Sequence, residues 1–84
     1  MKKIIIDIRD DVFYNSNHIP DAINICKELL ELAPERYLNK NDIYYLYCDR
    51  GILSLELSIF LNKKGYKTYS IPGGFKKWKE ENLK

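Results

Sequence analysis

The chain has one histidine and two cysteines, Cys26 and Cys48. That is too few for a disulfide framework, and the spacing is not that of metal ligands. A structural zinc would have to recruit carboxylates, so no metal site is expected. No apolar run approaches the roughly 20 residues of a membrane span. Met1-Lys2-Lys3 has the charge of a signal-peptide start, but Ile4-Ile5-Ile6 is broken at once by Asp7 and Arg9. The chain is therefore expected to be untargeted and cytoplasmic, with no membrane contact. A marked excess of one charge is also missing. Fourteen basic and 12 acidic residues leave a net +2, too balanced to indicate a nucleic-acid partner. The late lysines, Lys63-Lys64, Lys67 and Lys76-Lys77-Lys79, are interleaved with Glu80 and Glu81 and read as a solvated helix face. There is no internal repeat, linker or low-complexity tract.

What is present suits a small folded domain spanning residues 1–84. Hydrophobic residues make up 45% and charged residues 31%, and the apolar share is mostly Ile, Leu and Tyr, which excludes disorder. A chain of this length buries only about 60–65% of its unfolded surface, so modest stability is expected. Residues 3–8 read as a strand buried on both faces. Asp10-Asp11 caps a short helical turn around Val12-Phe13-Tyr14, and Asn15-Ser16-Asn17 is a polar turn. Residues 22–25 form a short strand, and residues 27–38 a helix broken or restarted at Pro34. Residues 43–47 form a third strand. Residues 51–64 form a helix with Leu53, Leu57, Phe60 and Leu61 on one face, closed by Gly65. Residues 67–71 form a fourth strand, and a last helix holds Phe75 and Trp78. Strands alternating with helices imply parallel βαβ units, hence an α/β fold.

The stretch Tyr47-Cys48-Asp49-Arg50-Gly51-Ile52-Leu53-Ser54 is the most informative. An apolar strand ends at a thiol, a short loop with one glycine follows, and a helix begins. In open parallel sheets the ligand site lies beyond the carboxyl ends of the strands. Asp7, Arg9 and Gly73-Gly74 reach that same edge. The helix dipole and the amides of residues 49–54 favour a thiolate at position 48. Arg50 adds a cation that Asp49 partly cancels, and Ser54 is placed to donate its hydroxyl to a bound anion or to cap the helix. The same local pattern fits an inert buried cysteine at a strand end equally well.

The ordered landmarks resemble those of single-domain rhodaneses, a sulfurtransferase family. Ile6-Asp7-Ile8-Arg9 is similar to the family's "D-V-R" strand end. His18-Ile19-Pro20-Asp21-Ala22-Ile23-Asn24-Ile25 is similar to "G-H-I-P-G-A-I-N-I", with Asn17 and Asp21 in place of the two glycines. Tyr47-Cys48, Gly51 and Ser54 follow "Y-C-x-x-G-x-x-S". Gly65-Tyr66 and Gly73-Gly74-Phe75 with Trp78 follow the family's later signatures. The resemblance implies a rhodanese-like three-layer fold with a parallel sheet of about four strands and helices on both faces. It implies Cys48 as nucleophile and persulfide carrier, Asp49 to Ser54 (with Ile52 and Leu53) as the substrate-binding loop, and Asp7 with Arg9 as a supporting pair. It implies no cofactor, a small anionic sulfur donor or a protein persulfide, and a thiol or cyanide acceptor.

Three departures bear on these expectations. The family's usual extra strand and helix before the "D-V-R" strand are missing, which exposes a sheet edge and fits a monomer or weak dimer. Many members carry arginine just before the loop serine, where this chain has Leu53; the resemblance thus implies weaker use of thiosulfate and favours a persulfide donor. Phosphatases of the same fold need arginine at position 54 to grip phosphate, and Ser54 stands there. The rival to an enzyme is a non-catalytic rhodanese-homology module that binds a partner protein. Cys26 is expected to be a bystander rather than a resolving thiol, and His18 to order the turn before Ile19-Pro20 rather than act as a base. The tyrosines and Trp78 are expected to pack the core.

Overall fold

The computed structural model describes residues 1–82; Leu83 and Lys84, the end of the expected domain, lie outside the described residues. Four parallel strands, β1 (Lys3–Asp7), β2 (Ile23–Asn24), β3 (Ile43–Tyr47) and β4 (Lys67–Ser70), form one sheet in the order β2-β1-β3-β4. The helices are α1 (Asp11–Ser16), α2 (Lys27–Leu32), α3 (Ile52–Lys63) and α4 (Gly74–Asn82), with a 3-10 turn at Pro34–Arg36. The expected three-layer α/β fold is therefore observed. None of the described helices is long and apolar enough to cross a membrane.

Strand alternation divides the core between the two sides of the sheet. Ile6, Ile8, Tyr44 and Leu46 pack with Leu30 of α2 and with Leu57 and Leu61 of α3. Tyr47 packs on the opposite side with Ile19, Ala22 and Phe75 of α4. Burying a side chain such as Leu57 or Leu61 stabilises the fold by about 1.5–3 kcal/mol. At the far end of α3, Gly65 takes φ +97. Its N–H reaches Asn62 O, and the Tyr66 N–H reaches Leu61 O. This is the Schellman closure that a glycine permits. Asp21, which stands where the rhodanese pattern has glycine, keeps a left-handed φ of 71.

Four local expectations are corrected. α1 runs through Ser16, because no glycine or proline stops it and the Asn17 N–H closes its last turn on Phe13 O; Asn15 and Ser16 are helical rather than a turn. Asp10 occupies the N-cap, but its side chain makes no capping bond; the turn closes through Phe13 and Tyr14 N–H on Asp10 O. The buried face of α3 is Ser54, Leu57, Ser58 and Leu61, while Leu53 and Phe60 are exposed. Serines fit this face because their hydroxyls and backbone are partnered: Ser58 Oγ donates to Leu55 O, and Thr68 Oγ1 donates to Ser58 O. Finally, β1 is not fully covered on both faces. Ile5 and Tyr45 are half-buried, since the core on that side gathers at the carboxyl ends of the strands. Tyr45 stacks there on exposed Tyr69, with ring centroids 5.6 Å apart.

Candidate active site

Helix α3 begins at Gly51, an N-cap residue with φ +92 and no side chain to cap with. The first amides of a helix still need an acceptor. Cys48 Sγ supplies it: Gly51 N–H donates to the sulfur at 3.1 Å and Ser54 N–H at 3.4 Å. Ser54 Oγ lies 3.4 Å from the sulfur. Ser54 itself is fully buried and shares a 2.7 Å hydrogen bond with Ser70 Oγ. Burial pushes the Cys48 thiol up, but the Ser54 hydroxyl and the amides of Ser54, Gly51 and Arg50 outweigh it and hold the thiol below its ordinary range.

The loop is held from the other side by α4. Phe75 N–H donates to Cys48 O and Lys76 N–H donates to Asp49 O, both at 2.9 Å. With these carbonyls tied to α4, the following amides face the sulfur. On the other face of the sheet, one residue back along β1 and β3, lies a buried polar cluster. Asp7, with no exposed surface, accepts from Arg9 Nε at 3.0 Å and Nη2 at 2.7 Å, and from Tyr47 Oη at 2.7 Å. Burial, then the bond to Asp7, raises the Tyr47 pKa, so its hydroxyl stays a donor while accepting from Ile19 N–H. The Arg9 guanidinium also donates to Asn17 O and lies 4.1 Å from the Phe75 ring centroid. β1, β3 and α4 are thereby fixed to one another next to the thiol.

A cleft of about 440 Å³ opens at Cys48, its walls including Ile8, Phe13 and Leu53. Cys48 is itself buried, only 6% exposed, and packs in the core cluster, yet it also lines this cleft, so the facing amides lie beside an opening to solvent. The structure brings Cys48, Gly51 and Ser54 together at the sulfur, with the Arg50 backbone N–H nearby, and sets Asp7 and Arg9 behind them. The side chains of Asp49 and Arg50 are exposed and face each other at 3.8 Å. Ile52 is exposed, and half-exposed Leu53 lines the cleft. Cys26 is half-buried and precedes α2. It lines a different depression, with Ile25, Leu29 and Tyr37, from the cleft at Cys48. His18 stacks on Tyr14, and its Nδ1 lies 2.9 Å from Tyr14 O, a turn-ordering arrangement.

Sequence reasoning missed Ser70 and the two α4 amides. The available signal was position: Ser70 ends β4 at the same sheet edge as Cys48, and Gly73-Gly74 leads α4 to that edge.

The depressed thiol pKa has a measurable consequence. The alkylation rate of Cys48 against pH is expected to show a midpoint below the roughly 8.5 of a free thiol. Because the folded-state value lies below the unfolded one, the thiolate also contributes stability above the unfolded pKa, lost as pH falls through the folded value. Iodoacetamide kinetics with peptide mapping measures the midpoint and should show Cys48 reacting faster than Cys26 at neutral pH. A midpoint equal to that of the unfolded chain would refute the amide stabilisation.

Comparison with known proteins agrees with this fold. The family described as Rhodanese-like domain matches residues 1–81. Thiosulfate sulfurtransferase GlpE of Coxiella burnetii is 34% identical over 77 residues, covering 90% of this chain and 71% of that protein. Putative sulfurtransferase YtwF of Bacillus subtilis is 30% identical, covering 92% of this chain and 74% of that one. The crystal structure of a rhodanese-related protein from Thermoplasma volcanium superposes with a TM-score of 0.87 at 25% identity, covering 95% of this chain and 79% of that one.

Proposed function

Since this chain belongs to the rhodanese-like domain family, we propose that it is a sulfurtransferase in which Cys48 accepts sulfane sulfur from thiosulfate or a persulfide and passes it to a thiol or cyanide. The observation that carries this reading is the sulfur of Cys48, faced by the Gly51 and Ser54 amides, on a buried residue that lines a cleft.

With thiosulfate, the Cys48 thiolate attacks the outer sulfur. A new S–S bond forms on Cys48, the bond to sulfite breaks, and sulfite leaves with the electron pair. The loop amides that hold the thiolate then face the persulfide and preorganise the site for its negative charge. Cyanide or a thiolate attacks the outer sulfur in turn, the S–S bond breaks, and its electron pair returns to Cys48. Thiocyanate or a new persulfide departs, and no external oxidant or reductant is consumed. Asp7 and Arg9 support the loop without touching the sulfur.

Mass spectrometry after exposure to sulfane-sulfur donors tests the reading. The expected result is a reducible gain of one sulfur atom on the peptide containing Cys48 and none on the peptide containing Cys26. Absence of any gain with every donor would favour the non-catalytic partner-binding module.

A further inference from the structure

Two clefts meet at the mouth of the loop, and their charges differ. The walls of the cleft at Cys48 include the apolar side chains of Ile8, Phe13 and Leu53. Its two cations are already engaged: Arg9 with Asp7, and Lys27 with Glu31, each at 2.7 Å. Its acids are less compensated. Asp49 has only the 3.8 Å contact with exposed Arg50, and among the described residues neither Asp10 nor Glu28 has a cationic partner within 4 Å. A dianion such as thiosulfate would approach through a rim of negative charge, which slows encounter and costs affinity.

The second cleft, of about 340 Å³, shares Arg9, Phe13 and Asp49 with the first and is bounded by Lys76 and Lys79. Both lysines are exposed, and among the described residues neither is paired with a carboxylate. Phe13, itself 56% exposed, stands where the two clefts join. The result is a thiol, then an apolar wall, then an unpaired cationic pair.

Resting on the sulfurtransferase reading above, we propose that the preferred sulfur donor is an organic persulfide whose apolar stem lies along Ile8, Phe13 and Leu53 and whose anionic end meets Lys76 and Lys79. The step balances without a co-reactant. The Cys48 thiolate attacks the terminal sulfur of neutral R–S–SH, the Cys48 S–S bond forms, the donor S–S bond breaks, and RS⁻ leaves with the electron pair. The proton stays on the transferred sulfur. The reacting form is the neutral R–S–SH, and even its conjugate base carries one charge against two on thiosulfate, so the acidic rim repels this head less. The donor's charge lies at the far end, where the lysines are.

Loading of Cys48 by methyl, pentyl and carboxypentyl persulfide and by thiosulfate tests this, each rate taken relative to the same donor acting on a cysteine peptide. Pentyl persulfide is expected to load about tenfold faster than methyl, since its stem buries additional methylenes. The carboxylate should add about a further fivefold, and thiosulfate should be slowest. The carboxylate's advantage should vanish in the Lys76→Ala/Lys79→Ala variant. Because pentyl and carboxypentyl persulfide share the same reacting head, that ratio isolates the tail. Thiosulfate loading faster than pentyl persulfide, or a tail advantage that is absent or survives the lysine substitutions, overturns the donor assignment alone. If no donor loads Cys48, the sulfurtransferase reading falls and this inference with it.

Discussion

Asp7→Asn is expected to lower the folding free energy by about 3–5 kcal/mol, the usual cost of removing one partner of a buried ion pair. A domain of this length has only about 4–12 kcal/mol in total. Both carboxylate oxygens are surrounded by donors alone. Oδ1 accepts from Arg9 N and Nε, and Oδ2 from Arg9 Nε and Nη2 and from Tyr47 Oη. An asparagine amide in either orientation points an NH2 group at donors. It also leaves the Arg9 guanidinium, whose side chain is only 9% exposed, without its counter-charge. Thermal unfolding should show the melting temperature fall by about 15–25 °C. Removing the orphaned cation as well isolates the cause: Asp7→Asn/Arg9→Met should be more stable than Asp7→Asn alone. A double variant less stable than the single one would mean that Asp7 acts through some contact other than this pair.

That cluster also explains what could and could not be read from the sequence. Asp7 and Arg9 were legible at one edge of the sheet because they end an apolar strand, and their pairing was what the rhodanese resemblance implied. The place of Cys48 between a strand and a helix N-terminus was legible locally, because a β-branched and aromatic run, a thiol, a glycine and a helix follow one another directly; the choice of a reactive over an inert thiol came from the resemblance. Tyr47 was read only as packing, because its bond to Asp7 joins residues 40 positions apart. No periodicity encodes a contact of that range. Ser54 was anticipated as a donor, but the buried face of α3 was assigned to Leu53, Leu57, Phe60 and Leu61. Hydropathy treats a serine as polar, whereas Ser54 and Ser58 have their hydroxyls satisfied and sit at the spacing of a buried face. Leu53 illustrates the converse. An apolar residue in a helical repeat reads as core, and here it lines the cleft because the helix turns its serines inward. The lysines of α4 read correctly as solvated, but solvation by itself does not reveal that two of them border the mouth of the site.

The second large effect concerns the turn that locks the loop from outside. Gly74→Ala is expected to cost about 3 kcal/mol, from roughly 1 kcal/mol for a left-handed alanine and about 1 kcal/mol for each of two lost hydrogen bonds. Gly74 has φ +59, and a Cβ there would lie 2.5 Å from Cys48 O and 2.7 Å from Asp49 O. Both are backbone atoms and cannot rotate aside. The start of α4 would have to retreat, breaking Phe75 N–H to Cys48 O and Lys76 N–H to Asp49 O. With those carbonyls released, the amides of Gly51 and Ser54 lose the constraint that points them at the sulfur, and thiol reactivity at neutral pH should fall by about tenfold. Gly65→Ala is the matched control. Gly65 also has positive φ, but its added Cβ would meet only the end of the Lys40 side chain, at 3.4 Å. It should cost about 1 kcal/mol and leave Cys48 alkylation unchanged. Equal losses of Cys48 reactivity in the two variants would mean that general destabilisation, not the α4 contact, governs the thiol. Loss confined to Gly74→Ala would assign the shape of the anion-binding loop to a helix that lies about 25 residues further along the chain and makes no bond to the sulfur itself.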